Sequence, residues 1–216
     1  MKAKGKGEWI VMVLFYRILF FITGITVLGL GISLSIKSGL GSGAWDALNV
    51  GLANTIGLTP GTWVVIVGIL LIIINSFLLK KRPEITAIIT LFLIGAVIDF
   101  WLMKALLNLA PQTWTDKILV LLAGILTMGI GLSIYIPAKF PLSPIDNLMI
   151  ALRERLGVSL MTAKTIGEII AFSAAWLLNG PIGIGTVIVT FSIGPLIQVF
   201  FPYTEKLLKS LTGHTW

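Results

Sequence analysis

The chain has 216 residues, of which 56% are apolar and 12% charged, with a mean hydropathy of +1.01 and a formal net charge of +7. That composition excludes a soluble globular domain, which needs more polar surface, and marks an all-α polytopic membrane bundle. There is no cysteine, so disulfides and thiolate metal sites are excluded, and the single histidine, His214, lies near the end.

In chain order, residues 2–8 ("KAKGKGE") precede an apolar run with no Ala-x-Ala-like cleavage site, so an uncleaved first span is expected near 9–36. Further long spans are expected near 60–79, 84–103, 117–136, 159–178 and 183–202, each long enough to cross roughly 30 Å of hydrocarbon. Two apolar segments, about 44–56 and 145–156, are too short for a full crossing. If only the six long segments cross, Lys80, Lys81, Arg82, Lys139, Arg153, Arg155, Lys206, Lys209 and the N-terminal lysines share one side. Only Lys37, Lys104 and Lys117 face the other. The positive-inside rule then puts both termini in the cytoplasm of a bacterial cell (inner or plasma) membrane, with 203–216 as a cytoplasmic tail. The basic balance thus reflects anionic lipid, and no nucleic acid partner is expected.

The chain repeats itself. Set against itself at an offset of 100 over 17–70, it matches Gly24 with Gly124, Gly29 with Gly129, Gly31 with Gly131, Ser33 with Ser133, Asp46 with Asp146, Gly57 with Gly157 and Thr62 with Thr162. At an offset of 99, "IGAVID" (94–99) matches "IGPLIQ" (193–198), which pairs Asp99 with Gln198. One membrane domain is therefore built from two repeats, about 9–103 (short segment 37–58) and 117–202 (short segment 137–158). Three crossings per repeat imply inverted topology, a layout typical of secondary transporters, whose sites lie at broken segments in matching positions.

Those segments are "SGLGSGAWDALN" (38–49) and "AKFPLSPIDNLM" (138–149). Gly39, Gly41 and Gly43 in the first, and Pro137, Pro141 and Pro144 in the second, break helical hydrogen bonding. Such backbone cannot face lipid. "SPID" reads as a helix start, with Ser143 as N-cap, Pro144 first and Asp146 reaching back as in a capping box; Asp46 is expected to do the same beneath Gly43. The aspartates thus have two readings, as caps of interfacial helices or as the lining of a polar site where paired half-helices meet. Glu168 falls near the centre of the fifth span, where an acid is costly, and Lys164 lies one turn earlier, within pairing reach. Asp99 sits near the end of its span beside Trp101 and Lys104 and reads as interfacial. Arg17 reads as snorkelling. Trp9, Trp114 and Tyr203 read as interface anchors, the repeated glycines as close helix contacts, and Gly194-Pro195 as a bend.

Enzyme chemistry is not expected. "LGSGAW" lacks a partner base, since His214 is far along the chain, and no HExxH, Walker loop or dinucleotide fingerprint is present. No cofactor and no metal are expected. With "GLGSGAWDALNVGLANTIGLTPGTWVVIVG" (39–68) and its weaker copy in view, the chain resembles the YitT/YczE-type bacterial integral membrane proteins over roughly 15–200. The likeness centres on the glycine turn, Trp45-Asp46, Gly57 and "TPG", with Ala44 where members often carry proline. It implies a small, duplicated membrane-embedded protein and names no substrate.

The expected function is a small-solute transporter or permease with a site between the broken segments. The candidate solute- or ion-binding residues are Asp46, Asn49, Asp99, Asp146, Lys164 and Glu168, and a proton or cation is a candidate coupling ion. The alternative is a non-transporting accessory or substrate-binding subunit of a larger membrane complex, and a homodimer or second membrane chain is the candidate protein partner.

Overall fold

The structure, a computed structural model, describes residues 6–141 and 143–213, with side chains from Trp9 onward. His214, Lys2 and Lys4 lie outside the described residues. The described residues form eight α-helices in order: α1 (Lys6–Lys37), α2 (Ala44–Ile56), α3 (Pro60–Leu79), α4 (Ala87–Phe100), α5 (Trp114–Tyr135), α6 (Pro144–Leu156), α7 (Leu160–Leu177) and α8 (Ile184–Thr212). A π-helical turn, Trp101–Ala105, extends α4, and a 3₁₀ turn, Ile136–Ala138, extends α5. Among the described residues there is no strand. Six helices among the described residues are long and apolar enough to cross a membrane; α2 and α6, each of 13 residues, are not among them.

The ends of these helices follow from local chemistry. Thr59 and Ser159, equivalent in the repeat, each cap a long helix by accepting from the backbone N–H three residues on, at Thr62 and Thr162. α1 begins at Lys6 and runs straight on through Arg17. α8 continues through Gly194, Pro195 and Pro202 to Thr212, past the end expected at 202. Its last turns carry a Glu205–Lys209 ion pair one turn apart, at 3.0 Å, and bury Leu208 and Thr212. The segment after 202 is therefore helix docked on the bundle. Trp9 Nε1 donates to the Thr212 carbonyl, so the two ends of the described chain meet on one face.

The centre of the bundle is the α1–α5 seam. A Cβ at Gly24 would fall 2.5 Å from Tyr135 N, and one at Gly124 2.9 Å from Ser35 N; a Cβ at Gly31 would fall 2.5 Å from Met128 N, and one at Gly131 would collide with Leu28 N. In each pairing the residue number falls along α5 as it rises along α1, so the helices are antiparallel. The pairings are also mirrored. Adding 100 to one member and subtracting 100 from the other turns the first contact into the second, and the third into the fourth. Only glycine lets backbones come this close. Around the seam, α2 lies against α3 and α7, and α6 against α7 and α3, so each short helix touches both halves.

The loops that break the repeats are sealed by protein rather than lipid. Ser42 N donates to the Pro181 carbonyl at 3.1 Å and Gly185 N to the Leu40 carbonyl at 2.8 Å. Gly41 sits at φ +110°, and a Cβ there would meet Gly183 N at 2.6 Å, so only glycine fits. In the other half, Arg17 donates from Nε to the Ala138 carbonyl and from Nη2 to the Lys139 carbonyl, both at 2.8 Å, with its guanidinium over the Phe140 ring. Arg17 is thus not a snorkelling side chain but a clamp on the second loop. Its repeat partner Lys117 lies correspondingly beside Gly39. Arg17→Ala should lower stability by about 1.5–3 kcal/mol, the usual worth of charged hydrogen bonds, read as a lower unfolding midpoint in detergent.

Candidate functional site

Ser38 and Ser42 are fully buried, and α2 runs from a buried start at Ala44 to an exposed end at Asn54–Ile56. α6 likewise runs from buried Pro144 to exposed Arg153–Leu156. Both short helices therefore begin inside the bundle and point outward. Their first turns line one cavity of about 230 Å³. Asp46, Asn49, Asp146, Lys164 and Glu168 all border it, together with Ser143, Tyr135 and Thr190, within apolar walls from α1, α3, α4 and α5. Five of the six candidate residues are thus brought together from three helices.

Neither aspartate acts as a cap. α2 is capped by Gly43 without any side-chain bond, and α6 by Ser143, whose hydroxyl accepts from Ile145 N at 3.4 Å. The Asp46 carboxylate folds back over Gly43, where a Cβ would lie 2.9 Å from its Oδ2. The expected capping boxes do not form, and both aspartates border the cavity instead. The Lys164–Glu168 ion pair is not formed within 4.0 Å either. Lys164 stands among Asp146 and Glu168 at the wall formed with Trp45 and Gly167, and acts electrostatically on both acids. Two of the three carboxyl groups thus share one lysine, and Asp46 faces Glu168 without it. Asn49, 5% exposed, adds a carbonyl oxygen that is buried without a hydrogen-bond partner. A buried acceptor left unpaired costs about 1–3 kcal/mol, which a donor brought by a ligand or an ordered water would recover.

Asp99 is elsewhere. It accepts from the Thr59 hydroxyl at 2.5 Å and from Gly61 N at 2.8 Å, fastening the start of α3 to the end of α4. The sequence suggests an interfacial acid or a ligand; the structure makes it a cap delivered from a neighbouring helix. Asp99→Ala should cost about 1–2 kcal/mol through the lost cap and leave ligand binding at the cavity unchanged, checked by unfolding and binding on the same preparation.

Residues 15–202 match the DUF6198 family, described as a family of unknown function. The chain belongs to DUF6198. It is 36% identical over 200 residues to the uncharacterized protein YyaS of Bacillus subtilis (strain 168), a match that covers 92% of this chain and all of that protein. It is 32% identical over 193 residues to the uncharacterized membrane protein YczE of the same organism, covering 88% of this chain and 87% of YczE. An uncharacterized protein of Haemophilus influenzae (strain ATCC 51907 / DSM 11121 / KW20 / Rd) is 28% identical over 184 residues, covering 85% of this chain and 82% of that protein. No solved structure matches. The YczE-type resemblance carried by the Trp45-Asp46 segment therefore holds, and the DUF6198 match contains the whole cavity. The membrane assignment agrees with the description of YczE.

Other cavity groups escape sequence reasoning. Thr190 and Tyr135 stand in apolar stretches and read as ordinary helix residues. Only their place opposite the two broken segments identifies them.

Proposed function

We propose that this DUF6198 chain is a small-solute transporter of the bacterial cytoplasmic membrane, not an enzyme, with its site in the cavity between α2 and α6. The observation that carries this reading is that both short helices start at one cavity, where three acids, one lysine and an unpartnered Asn49 carbonyl converge from both repeats. The antiparallel, mirrored α1–α5 seam supports inverted repeats, the arrangement in which one half rocks against the other around a fixed midplane site. The basic loops and the meeting of Trp9 with Thr212 support both ends lying in the cytoplasm.

The chain has no native cysteine, so Ser143→Cys gives a single thiol on the cavity wall. A membrane-impermeant thiol reagent applied to intact cells and to inverted vesicles should label it from both faces, because the cavity opens alternately. Labelling from one face alone overturns alternating access and favours a substrate-binding or accessory subunit of a larger complex.

A further inference from the structure

The two halves differ at one place. In the first, α3 packs on α4: a Cβ at Gly68 would collide with the Leu91 side chain, and one at Gly95 with the Gly61 carbonyl. In the second, the corresponding helices α7 and α8 do not pack along their length. The sequence encodes the difference. Gly68 is replaced by Glu168, Gly61 by Met161, Val64 by Lys164 and Leu91 by Thr190. Gly95 has a counterpart in Gly194, but a Cβ there would meet nothing within 4 Å. With two charged side chains and a methionine where the closed half has glycines and a valine, α7 cannot approach α8 as α3 approaches α4.

A gap of about 680 Å³ results, with apolar walls that include Ile169, Phe172, Val187 and Phe191. Its volume lies within the range of about 300–1,000 Å³ that suits a drug-sized ligand. Ala44, Lys164, Glu168 and Thr190 border both the gap and the acidic cavity, so the two adjoin. Because α7 and α8 are both spans, the mouth of the gap faces hydrocarbon, and Phe191 and Met161 beside it are 70% and 77% exposed.

We propose that the α7–α8 gap is a lateral access route for an amphiphilic cation, an ammonium head on an alkyl chain, which reaches the acidic cavity from the lipid phase. This rests on reading the cavity as a solute site. The apolar walls take the chain. The head lies at Glu168, with Asp46 and Asp146 beyond it and the unpartnered Asn49 carbonyl as an acceptor for its N–H. An anionic head meets three acids and one lysine and is disfavoured. A neutral head leaves those acids uncompensated where charge is costly.

The probe is a hexadecylammonium carrying a photoactivatable diazirine at the end of its chain, presented to the protein in phosphatidylcholine nanodiscs. Matched alcohol- and carboxylate-headed probes serve as comparisons. The ammonium probe should label α7 and α8 at least about tenfold more than either, and Glu168→Gln should remove that preference. Val187→Trp, which fills the gap and leaves every acid in place, should also abolish labelling. Equal labelling by all three heads, or labelling that survives either substitution, overturns the proposal. Competition by hexadecylammonium but not by tetramethylammonium supports an amphiphile; equal competition by both overturns the role of the chain. Replacing phosphatidylcholine by phosphatidylethanolamine separates sources: loss of labelling assigns the ammonium to a membrane lipid, and unchanged labelling assigns it to a free amphiphile. A disulfide joining two Thr165→Cys copies, formed with loss of labelling, gives the gap to a second copy and overturns the proposal. If the probe fails while Ser143→Cys still reacts from both faces, the ligand class falls and the transporter reading stands. One-sided reaction with specific labelling gives the reverse.

Discussion

A leucine at Gly31 should keep the bundle from assembling. Two of the three atoms its Cβ would meet, Met128 N at 2.5 Å and the Gly124 carbonyl oxygen at 2.8 Å, are backbone, so no rotamer change relieves the clash and the α1 and α5 axes must separate. Overpacking a well-filled core costs about 1–3 kcal/mol, and more where backbone must move, against a total stability of about 5–15 kcal/mol. The expected readout is loss of the monodisperse species after detergent extraction. Gly131→Leu should behave alike through Leu28 N, and the two together should not add, because they open the same seam. Gly194→Ala is the contrast. With open space beside it, that change should be neutral or stabilising by up to about 1 kcal/mol through helix propensity. A well-folded Gly31→Leu protein would mean that the seam is not the centre of the fold.

Glu168→Gln should separate folding from function. An acid near the middle of a span costs about 2.5–3.5 kcal/mol on insertion scales, so the neutral isostere should leave the unfolding midpoint equal or higher. Lys164 keeps Asp146 nearby. Retention of the ammonium probe should nevertheless fall at least about tenfold, the worth of one charge-assisted contact. A lower midpoint with unchanged retention would make Glu168 a structural member of a charge cluster, and would remove the reason for placing a cation there.

Much of this fold is legible because hydropathy reports what lipid touches. The span expected at 60–79 is α3 to the residue, and the short segment expected at 44–56 is α2. Hydropathy fails where a helix leaves the apolar layer. The turns after Tyr203 are polar enough to read as a tail, yet their Glu205–Lys209 spacing and buried Leu208 keep them helical and docked. Side-chain roles that join distant segments are harder still. The Asp99 cap on Thr59 and Gly61, and the Arg17 clamp on Ala138 and Lys139, are contacts between residues that share no local pattern. The site itself is visible as a juxtaposition only because duplication marks equivalent positions. Asp46 and Asp146 align in the sequence, and equivalent positions of two repeats can meet where the repeats pack together. The direction of the carboxylates is not visible, since a capping aspartate and a cavity aspartate occupy the same place in the sequence.

The mirrored α1–α5 seam has a consequence for what one covalent chain makes possible. It is an isologous interface folded into a single molecule, the kind that joins two identical subunits of a symmetric dimer. Were the halves separate polypeptides, the seam would depend on their concentration, and every side chain would appear twice. Joining them through the segment between Ala105 and Trp114 makes the encounter intramolecular, at an effective concentration on the order of millimolar. It also frees each copy of a position to serve a different purpose. Gly68 can hold one wall shut while its counterpart, Glu168, carries a charge on the open one.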